Sequence, residues 1–199
     1  MFTPADGARF AVLAGPPSPV RSAIEERLAR DGCIVRTVEP ATRRQLKEAV
    51  DPLVRELGPP ALLVTIPNHH DASPFGEMSQ DRWEHLLMAH LGLTVDSCAA
   101  VVPHMVAARQ GTVVTTSSWL ALAGVPGEAY YAAASGSILA FTKSFALEVA
   151  KQGVRVNSIA VGRLGRDVQP DDVADTVSFL HRDGDFFVGQ VLRATGVGA

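Results

Sequence analysis

Short apolar runs alternate along the chain with longer segments of helical period, and this alternation limits the fold more than any other feature. Strands that alternate with helices build a parallel sheet covered on both faces. We therefore predict one α/β domain over residues 1–199, a doubly wound, Rossmann-like sheet of about six strands. The apolar runs lie at residues 10–15, 33–38, 61–66, 111–116, 155–161 and 189–195. The helical pattern occupies residues 19–31, 42–57, 80–109, 129–151 and 170–181.

Composition argues against several classes of partner. The formal net charge of -3 disfavours a nucleic-acid or anionic-membrane surface. We also expect no membrane span, because no apolar stretch of the required length is evident in the sequence. The two cysteines, Cys33 and Cys98, form no CxxC pair, so we predict neither a metal site nor a redox dithiol. A reducing, cytoplasmic location fits this cysteine usage.

One long block of the chain matches the pattern of a known enzyme family. From Gly111 to Gly162 the chain runs through TTSS, AYYAAASGS and RVNSIAVG without a gap. Together with GRLGRDVQPDDVADTVSFL and GQVLRATGV, this block resembles the short-chain dehydrogenase/reductase family over nearly the whole chain. The resemblance implies a Rossmann-like fold, but the chain is short. Residues 39–61 leave room for one helix only, which implies a missing edge strand unit, and residues 160–170 leave no room for the family's substrate lid.

The family's catalytic pattern is only partly retained. A serine and a tyrosine thirteen residues later bind the substrate carbonyl in the family, and Ser118 and Tyr131 meet that spacing. The lysine expected four residues after the tyrosine is replaced by Ser135, which cannot supply a cation. Lys143 lies three turns further along the predicted helix, roughly 18 Å from Tyr131. We therefore expect Tyr131 to remain a neutral phenol, and His90 stands where the family has an asparagine.

The phosphate-binding turn also departs from the family pattern. Its motif TGxxxGxG needs glycines so that the backbone can approach the pyrophosphate. In AGPPSPVR only Gly15 matches, while Pro19 and Arg21 take the other two glycine positions. Glu39 occupies the place of an acid that holds the adenosine ribose, with an exposed surface glutamate as the alternative reading, and Asn68 ends the segment TIPN that replaces NNAG. We therefore expect NAD(P) to be weakly bound or not bound.

A histidine-rich loop is the most polar cluster near the predicted crevice. The segment NHHDASPF contains His69, His70 and Asp71, which could converge with His90 at the carboxyl ends of the strands. Such a group could serve acid/base chemistry or bind a metal. The alternative is a solvated loop with one helical histidine, since adjacent histidines point in different directions. We expect no metal.

Two long helices are apolar on more than one face, at residues 80–109 and 129–151. Helices of this kind need partners to cover them. In the family the equivalent helices pair across a two-fold axis, so the resemblance implies a homo-oligomer or a hetero-oligomer with a related subunit.

Three hypotheses for function follow. We favour a degenerate family member that is not an independent redox enzyme and serves as a structural or regulatory subunit beside an active relative. One alternative is an atypical NAD(P)(H)-dependent carbonyl or alcohol oxidoreductase that uses Ser118 and Tyr131, with His90 or a partner chain supplying the missing charge. The other is non-redox catalysis in the same cleft, as an isomerase, cyclase or lyase, with His69, His70 or His90 moving a proton.

Overall fold

The computed structural model describes residues 9–39 and 42–196, so residues 1–8, 40–41 and 197–199 of the predicted domain lie outside the described residues. Within them the chain forms a six-stranded sheet in the order β2-β1-β3-β4-β5-β6, and every neighbouring pair is parallel. The predicted Rossmann-like sheet is therefore confirmed. Its strands are β1 (Phe10–Ala14), β2 (Ile34–Val38), β3 (Leu62–Thr65), β4 (Gly111–Ser118), β5 (Val154–Val161) and β6 (Val191–Ala194).

Seven α-helices connect these strands within the described residues. They are α1 (Pro19–Arg30), α2 (Arg43–Leu57), α3 (Gln80–Leu87), α4 (Leu93–Ala108), α5 (Leu120–Ala123), α6 (Ala129–Val149) and α7 (Pro170–Arg182). Local signals set the helix starts. Ser18 and Ser79 accept a backbone N–H from the first turns of α1 and α3, and Thr42 forms a capping box with Gln45 at α2.

Two apolar layers sandwich the sheet, because successive strand residues point to opposite faces. On one face Ala11 and Leu13 of β1 pack among residues of α1 and α7. On the other face Phe10 and Val12 pack among residues of α2, α4 and α6. All four of these strand residues are at most 2% exposed, so the sheet centre is buried on both sides.

The predicted helix at 80–109 is interrupted. A π-helical segment, Met88–Gly92, separates α3 from α4. A hydrophobic period does not reveal this insertion, because α4 is apolar on several faces and therefore shows no break in phase after it. The sequence also gave no sign of α5, and it ended β4 two residues before Ser118.

The two predicted deletions are visible in the described chain. Between β2 and β3 the described residues contain one helix, α2, so β2 pairs only with β1 and forms an outer strand. After β5, residues 162–169 form a short loop rather than a long covering segment. This loop is closed by a bridge between Leu164 and Val168 and by two hydrogen bonds from Arg163 to Asp167.

The helical segment Gln80–Ala108 is long and apolar enough to cross a membrane by length and composition, and its most apolar window of 18 residues has a mean hydropathy of 1.5. The sequence analysis did not expect such a segment. Half of its most apolar window is buried inside the fold, a property that it shares with core helices of soluble proteins.

Candidate active site

A cleft opens at the carboxyl ends of the central strands, where ligands bind in open α/β sheets. Its cavity measures about 270 Å³. The walls come from the ends of β4 and β5, the first turns of α1 and α6, and the loop after β3. The lining residues include Ser18, Pro19, Val20, Asn68, His70, His90, Ser118, Trp119, Tyr131, Gly162 and Arg163. Four of the predicted site residues, Asn68, His90, Ser118 and Tyr131, therefore share one cavity.

Ser118 is the last residue of β4 and lies beside Val161 of β5. Its side chain is nearly buried, and Oγ accepts a hydrogen bond of 3.2 Å from the backbone N–H of Leu120. The hydroxyl therefore stays at the cleft wall with its own proton still available for donation. The position follows from the strand register, because β4 continues to this residue before the chain turns into α5.

Tyr131 lies in the first turn of α6, with a histidine on either side. Its ring meets that of His70 edge-on at a centroid distance of 4.5 Å and that of His90 edge-on at 5.3 Å. Burial raises the pKa of the Tyr131 phenol, and the nearby hydroxyls of Ser118 and Ser135 only partly offset this rise. The phenol is therefore protonated near neutral pH and able to donate a hydrogen bond.

No lysine stands one turn after Tyr131. Ser135 occupies this position, is fully buried, and its Oγ has no hydrogen-bond partner among the described residues. Lys143 is exposed further along α6 and is not part of the cavity wall. The sequence predicted that no cation would stand one turn after Tyr131. Among the described residues, the only guanidinium or ammonium group in the cavity wall is that of Arg163.

His90 is carried into the cleft by the π-helical segment. Its Nε2 lies 2.7 Å from the carbonyl oxygen of His69, and since a carbonyl only accepts, Nε2 carries the proton. The unprotonated Nδ1 is buried and has no partner in the described part of the chain. Burial lowers the pKa of His90, with the His69 hydrogen bond acting against it. The ring is therefore a neutral imidazole with one free acceptor nitrogen.

His70 is paired with a carboxylate that the sequence analysis did not single out. Its Nε2 lies 3.0 and 3.2 Å from the two oxygens of Glu128, the residue that precedes α6. The carboxylate accepts from Nε2, which leaves Nδ1 as the basic nitrogen of His70. Because 58 residues separate the two partners, no local pattern could have linked them.

The other two members of the histidine-rich loop turn away from the cleft. The carboxylate of Asp71 accepts hydrogen bonds from Arg82 of α3, and the ring of His69 packs edge-on against His85 at 4.9 Å. Neither His69 nor Asp71 lines the cavity through its side chain. Of the four groups that could have converged, only His70 and His90 line the cavity, because the ion-pair and ring contacts hold Asp71 and His69 against α3. Among the described residues no three His, Cys, Asp or Glu side chains group around a common point.

The residues expected to hold a dinucleotide are bonded to one another. One guanidinium nitrogen of Arg21 lies 2.8 Å from the carbonyl oxygen of Gly15 and 2.8 Å from a carboxylate oxygen of Glu39. The side chain of Arg21 is 14% exposed and that of Glu39 is 59% exposed. Gly15 makes the close approach that its position requires, since a Cβ there would lie 2.2 Å from the carbonyl oxygen of Ile66.

This turn does not fit a dinucleotide in the family's manner. Pro16, Pro17 and Pro19 have no N–H groups, so three donors are missing from the segment. In the first turn of α1, the N–H of Arg21 donates to the Ser18 hydroxyl and that of Ser22 to the Ser18 carbonyl. The guanidinium of Arg21 donates to the Gly15 carbonyl and to Glu39 beside this turn. A pyrophosphate would therefore find few free donors here.

The far wall of the cleft holds a cation that the sequence analysis did not anticipate. The guanidinium of Arg163 lies 5.6 Å from the ring centroid of Trp119. Its Nε and Nη2 atoms donate to the carboxylate of Asp167. Both Arg163 and Trp119 line the cavity. The segment GRLGR placed Arg163 just after a strand, but no sequence pattern linked it to Trp119, which follows β4.

A parallel doubly wound sheet is the architecture of many dinucleotide-binding proteins, and here serine and tyrosine hydroxyls lie at its carboxyl edge. Comparison with known proteins identifies the family. The family model described as short chain dehydrogenase matches residues 4–175, and the chain belongs to this family.

Several curated relatives are reductases of one kind. The chain is 33% identical over 142 residues to the 3-oxoacyl-[acyl-carrier-protein] reductase FabG of Chlamydia trachomatis, covering 60% of this chain and 57% of the relative. It is 40% identical over 125 residues to that of Chlamydia pneumoniae, covering 52% of this chain and 50% of the relative. The match to the Thermotoga maritima FabG is 29% identical and covers 77% and 72%. The chain thus spans little more than half the length of the two chlamydial relatives.

Among solved structures, the fold matches that of an NAD+-bound xylitol dehydrogenase. The TM-score is 0.86 at 18% identity, and the match covers 94% of this chain and 98% of that chain. At this level of identity the likeness concerns the fold.

Proposed function

We propose that this chain holds a small carbonyl compound between Ser118 and Tyr131 and does not carry out NAD(P)-dependent redox catalysis by itself. The observation that carries this proposal is the guanidinium of Arg21, which joins the Gly15 carbonyl to the Glu39 carboxylate across the phosphate turn. Ser135 in place of a lysine supports it, because the phenol has no adjacent cation. We therefore expect NAD(P) to bind weakly or not at all.

We further propose a role as a structural or regulatory subunit, either in a homo-oligomer or beside an active relative in a hetero-oligomer. The outer surface of α6 supports this role, because Ala133 and Ala140 are exposed there and Leu147 is 75% exposed. Small and apolar residues in such a row allow another helix to approach closely. The free Cys33 and Cys98 are in keeping with a reducing, cytoplasmic location.

Calorimetric titration with NADPH and NADH tests the cofactor proposal directly. We expect no saturable heat at millimolar cofactor from the wild-type protein. Arg21→Ala opens the phosphate turn and removes the partner of Glu39, so we expect this variant to gain measurable binding. Glu25→Ala is the matched control, since Glu25 is an exposed residue of the same helix without a hydrogen bond among the described residues.

Two results would contradict the proposal. Tight binding by the wild-type protein would show that the Arg21 contacts yield to the cofactor. Ketone reduction with NADPH at an ordinary enzyme rate, abolished by Tyr131→Phe, would favour the atypical oxidoreductase instead, a reading that the FabG relatives support.

A second candidate function is non-redox proton transfer in the same cleft, as in an isomerase, cyclase or lyase. It is favoured by the two imidazoles beside Tyr131. The phenol can donate to a carbonyl oxygen, while the basic nitrogen of His70, with Glu128 behind it, can accept a proton from the adjacent carbon. The neutral His90 contributes a second acceptor nitrogen on the other side of the phenol.

Proton transfer of this kind exchanges hydrogen for deuterium beside a carbonyl. We expect small ketones incubated with the protein in heavy water to gain deuterium, as measured by mass spectrometry, and His70→Gln and Tyr131→Phe to slow that gain. His85→Gln is the control, because His85 packs on His69 outside the cavity. Equal exchange in all three variants would exclude the cleft as the source.

A further inference from the structure

A second concave region lies at the opposite edge of the sheet, where the strands begin. It consists of two adjoining cavities of about 400 and 450 Å³, which share Arg9, His181 and Arg182. Arg9 precedes β1, and His181 and Arg182 are the last residues of α7. We call this region the basic floor. It is separated from the candidate active site by the length of the strands.

Five guanidinium groups line the basic floor: those of Arg9, Arg30, Arg109, Arg155 and Arg182. Two carboxylates face them. Asp31 accepts from Arg182 at 3.3 Å, and Asp185 lies 3.5 Å from Arg155. The floor therefore carries an excess of positive charge. Each guanidinium has five N–H donors, so these contacts leave many of them unused.

Part of this charge has a structural role. Arg155 donates to the carbonyl oxygens of Leu180 and Gly184 at the end of α7, which is the negative end of that helix. Arg9 differs, since its guanidinium has no hydrogen-bond partner among the described residues, although it faces both cavities. Helix capping therefore explains some of these arginines but leaves Arg9 unexplained.

The strongest sign of a ligand is His181. Its side chain is only 8% exposed and lines both cavities, yet neither ring nitrogen has a hydrogen-bond partner in the described part of the molecule. A buried imidazole without partners is costly, because its N–H group loses its hydrogen bond to water without replacement. The groups that face it are Arg9, Arg155, Arg182 and Asp31. None of these four supplies the missing bond.

We propose that the basic floor binds a phosphate group between the guanidinium groups of Arg9 and Arg182, with a ring N–H of His181 donating to one phosphate oxygen. A phosphate oxygen supplies the acceptor that His181 lacks, and the other oxygens face the arginines. A tetrahedral phosphate suits donors that approach from several sides better than a planar carboxylate, which one guanidinium can satisfy alone. The chemistry is the same whether the phosphate is free or the end of an ester.

Nuclear magnetic resonance of the His181 ring provides the test. The signal is assigned among the six histidines by its loss in His181→Gln. We expect inorganic phosphate, added at constant ionic strength and neutral pH, to shift this signal saturably. Phosphate also raises the pKa of His181 from about 4, because the anion offsets the neighbouring arginine charges. Phenyl phosphate distinguishes the sources: equal binding indicates the end of an ester, and exclusion indicates the free ion.

Arg9→Ala/Arg182→Ala should weaken phosphate binding by at least about tenfold, because two charged donors are lost. Removing these exposed arginines leaves the core intact, which thermal unfolding verifies. Arg36→Ala, on the outer strand β2, is the matched control and should bind like the wild type. An unmoved His181 signal, an equal shift with chloride, or unchanged affinity in the double variant would each overturn the proposal. Tighter binding of malonate than of phosphate would overturn the assignment of the anion.

Discussion

At the scale of single residues, Tyr131 differs from a catalytic base by its surroundings rather than by its position. It has the predicted place in the first turn of α6, but burial raises the pKa of its phenol. Ser135 offers a buried hydroxyl where a cation would lower that pKa. The environment therefore favours hydrogen-bond donation over proton cycling near neutral pH.

Ser135→Lys should lower the pKa of Tyr131. The new ammonium would stand one helical turn from the phenol and stabilise the phenolate, with a decrease of about 1 to 3 pKa units. Ultraviolet absorbance of the ionised phenol measures the change in a Tyr130→Phe background, which removes the only other tyrosine. Because the site is fully buried, we also expect a loss of stability.

The control for this substitution is Ser135→Ala, which removes the hydroxyl without adding charge. We expect it to raise the pKa of Tyr131 slightly, since the Ser135 hydroxyl acts to lower it. A Tyr131 pKa that is the same in the lysine variant and the wild type would show that the new ammonium points elsewhere. The cation then could not restore the family's chemistry at this place.

At the scale of elements, two glycines show how the surroundings of a position decide whether a larger side chain is tolerated there. Gly15 ends β1 where a Cβ would collide with the backbone of Ile66 at 2.2 Å. Gly136 lies within α6, where the nearest atom to an added Cβ is the side chain of Ala121 at 3.8 Å. The first glycine is required by a close approach, whereas the second is tolerated at a cost in helix stability.

Alanine at these two positions should therefore act in opposite directions. Gly15→Ala should destabilise the protein by at least about 1 kcal/mol, since the backbone must move. Gly136→Ala should stabilise it by roughly 0.5 to 1 kcal/mol, because alanine loses less backbone entropy in a helix. Urea unfolding of the two variants measures both. If Gly136→Ala is destabilising instead, a neighbouring chain packs on this surface of α6 and the glycine is an interface residue.

The sequence predicted the elements well where periodicity is strong and poorly where geometry is local. All six strands follow the β-branched runs, and the helix starts follow capping residues such as Ser18 and Thr42. The π-helical segment Met88–Gly92 escaped detection because α4, which follows it, is apolar on several faces and shows no break in phase. It nevertheless decides where His90 enters the cleft.

At the scale of the whole molecule, two buried histidines link stability to pH. Burial lowers the pKa of His90, and burial together with the Arg9 and Arg155 charges lowers that of His181 from 6.5 to about 4. The unfolded chain therefore takes up protons at a higher pH than the folded chain does. The contribution of these two neutral histidines to stability is fully present above the unfolded-state pKa of 6.5. It is lost as the pH falls toward their pKa values in the folded state.

The free energy of unfolding should accordingly decrease between pH 6.5 and about 4, by roughly 3 kcal/mol for His181 alone. Urea unfolding at a series of pH values measures this slope. His181→Gln should flatten it, and His90→Gln should flatten the remainder. Asp31 should affect this pH dependence little. Its pKa is lowered from 3.8, so its contribution to the free energy of unfolding is lost only at pH values below that. An unchanged slope in both variants would contradict the prediction.

The sequence predicted those parts of the candidate site that follow from the ends of strands and from the spacing of the family's motifs. These placed Ser118, Tyr131, His90 and Asn68 in one cavity. The pairs between distant segments were not predictable, because Arg21 with Glu39 and His70 with Glu128 depend on how elements pack. Glu39 is exposed, as the reading of a surface glutamate predicted, but the sequence did not reveal its partner Arg21.

The short loop after β5 has a kinetic consequence. With residues 162–169 held tight by Arg163 and Asp167, no long segment of the described chain must open or close over the cleft. Where lids exist, their opening often limits product release. We therefore expect a ligand in this cleft to leave without waiting for that segment to open, so that its dissociation rate depends on its own contacts with the cleft wall.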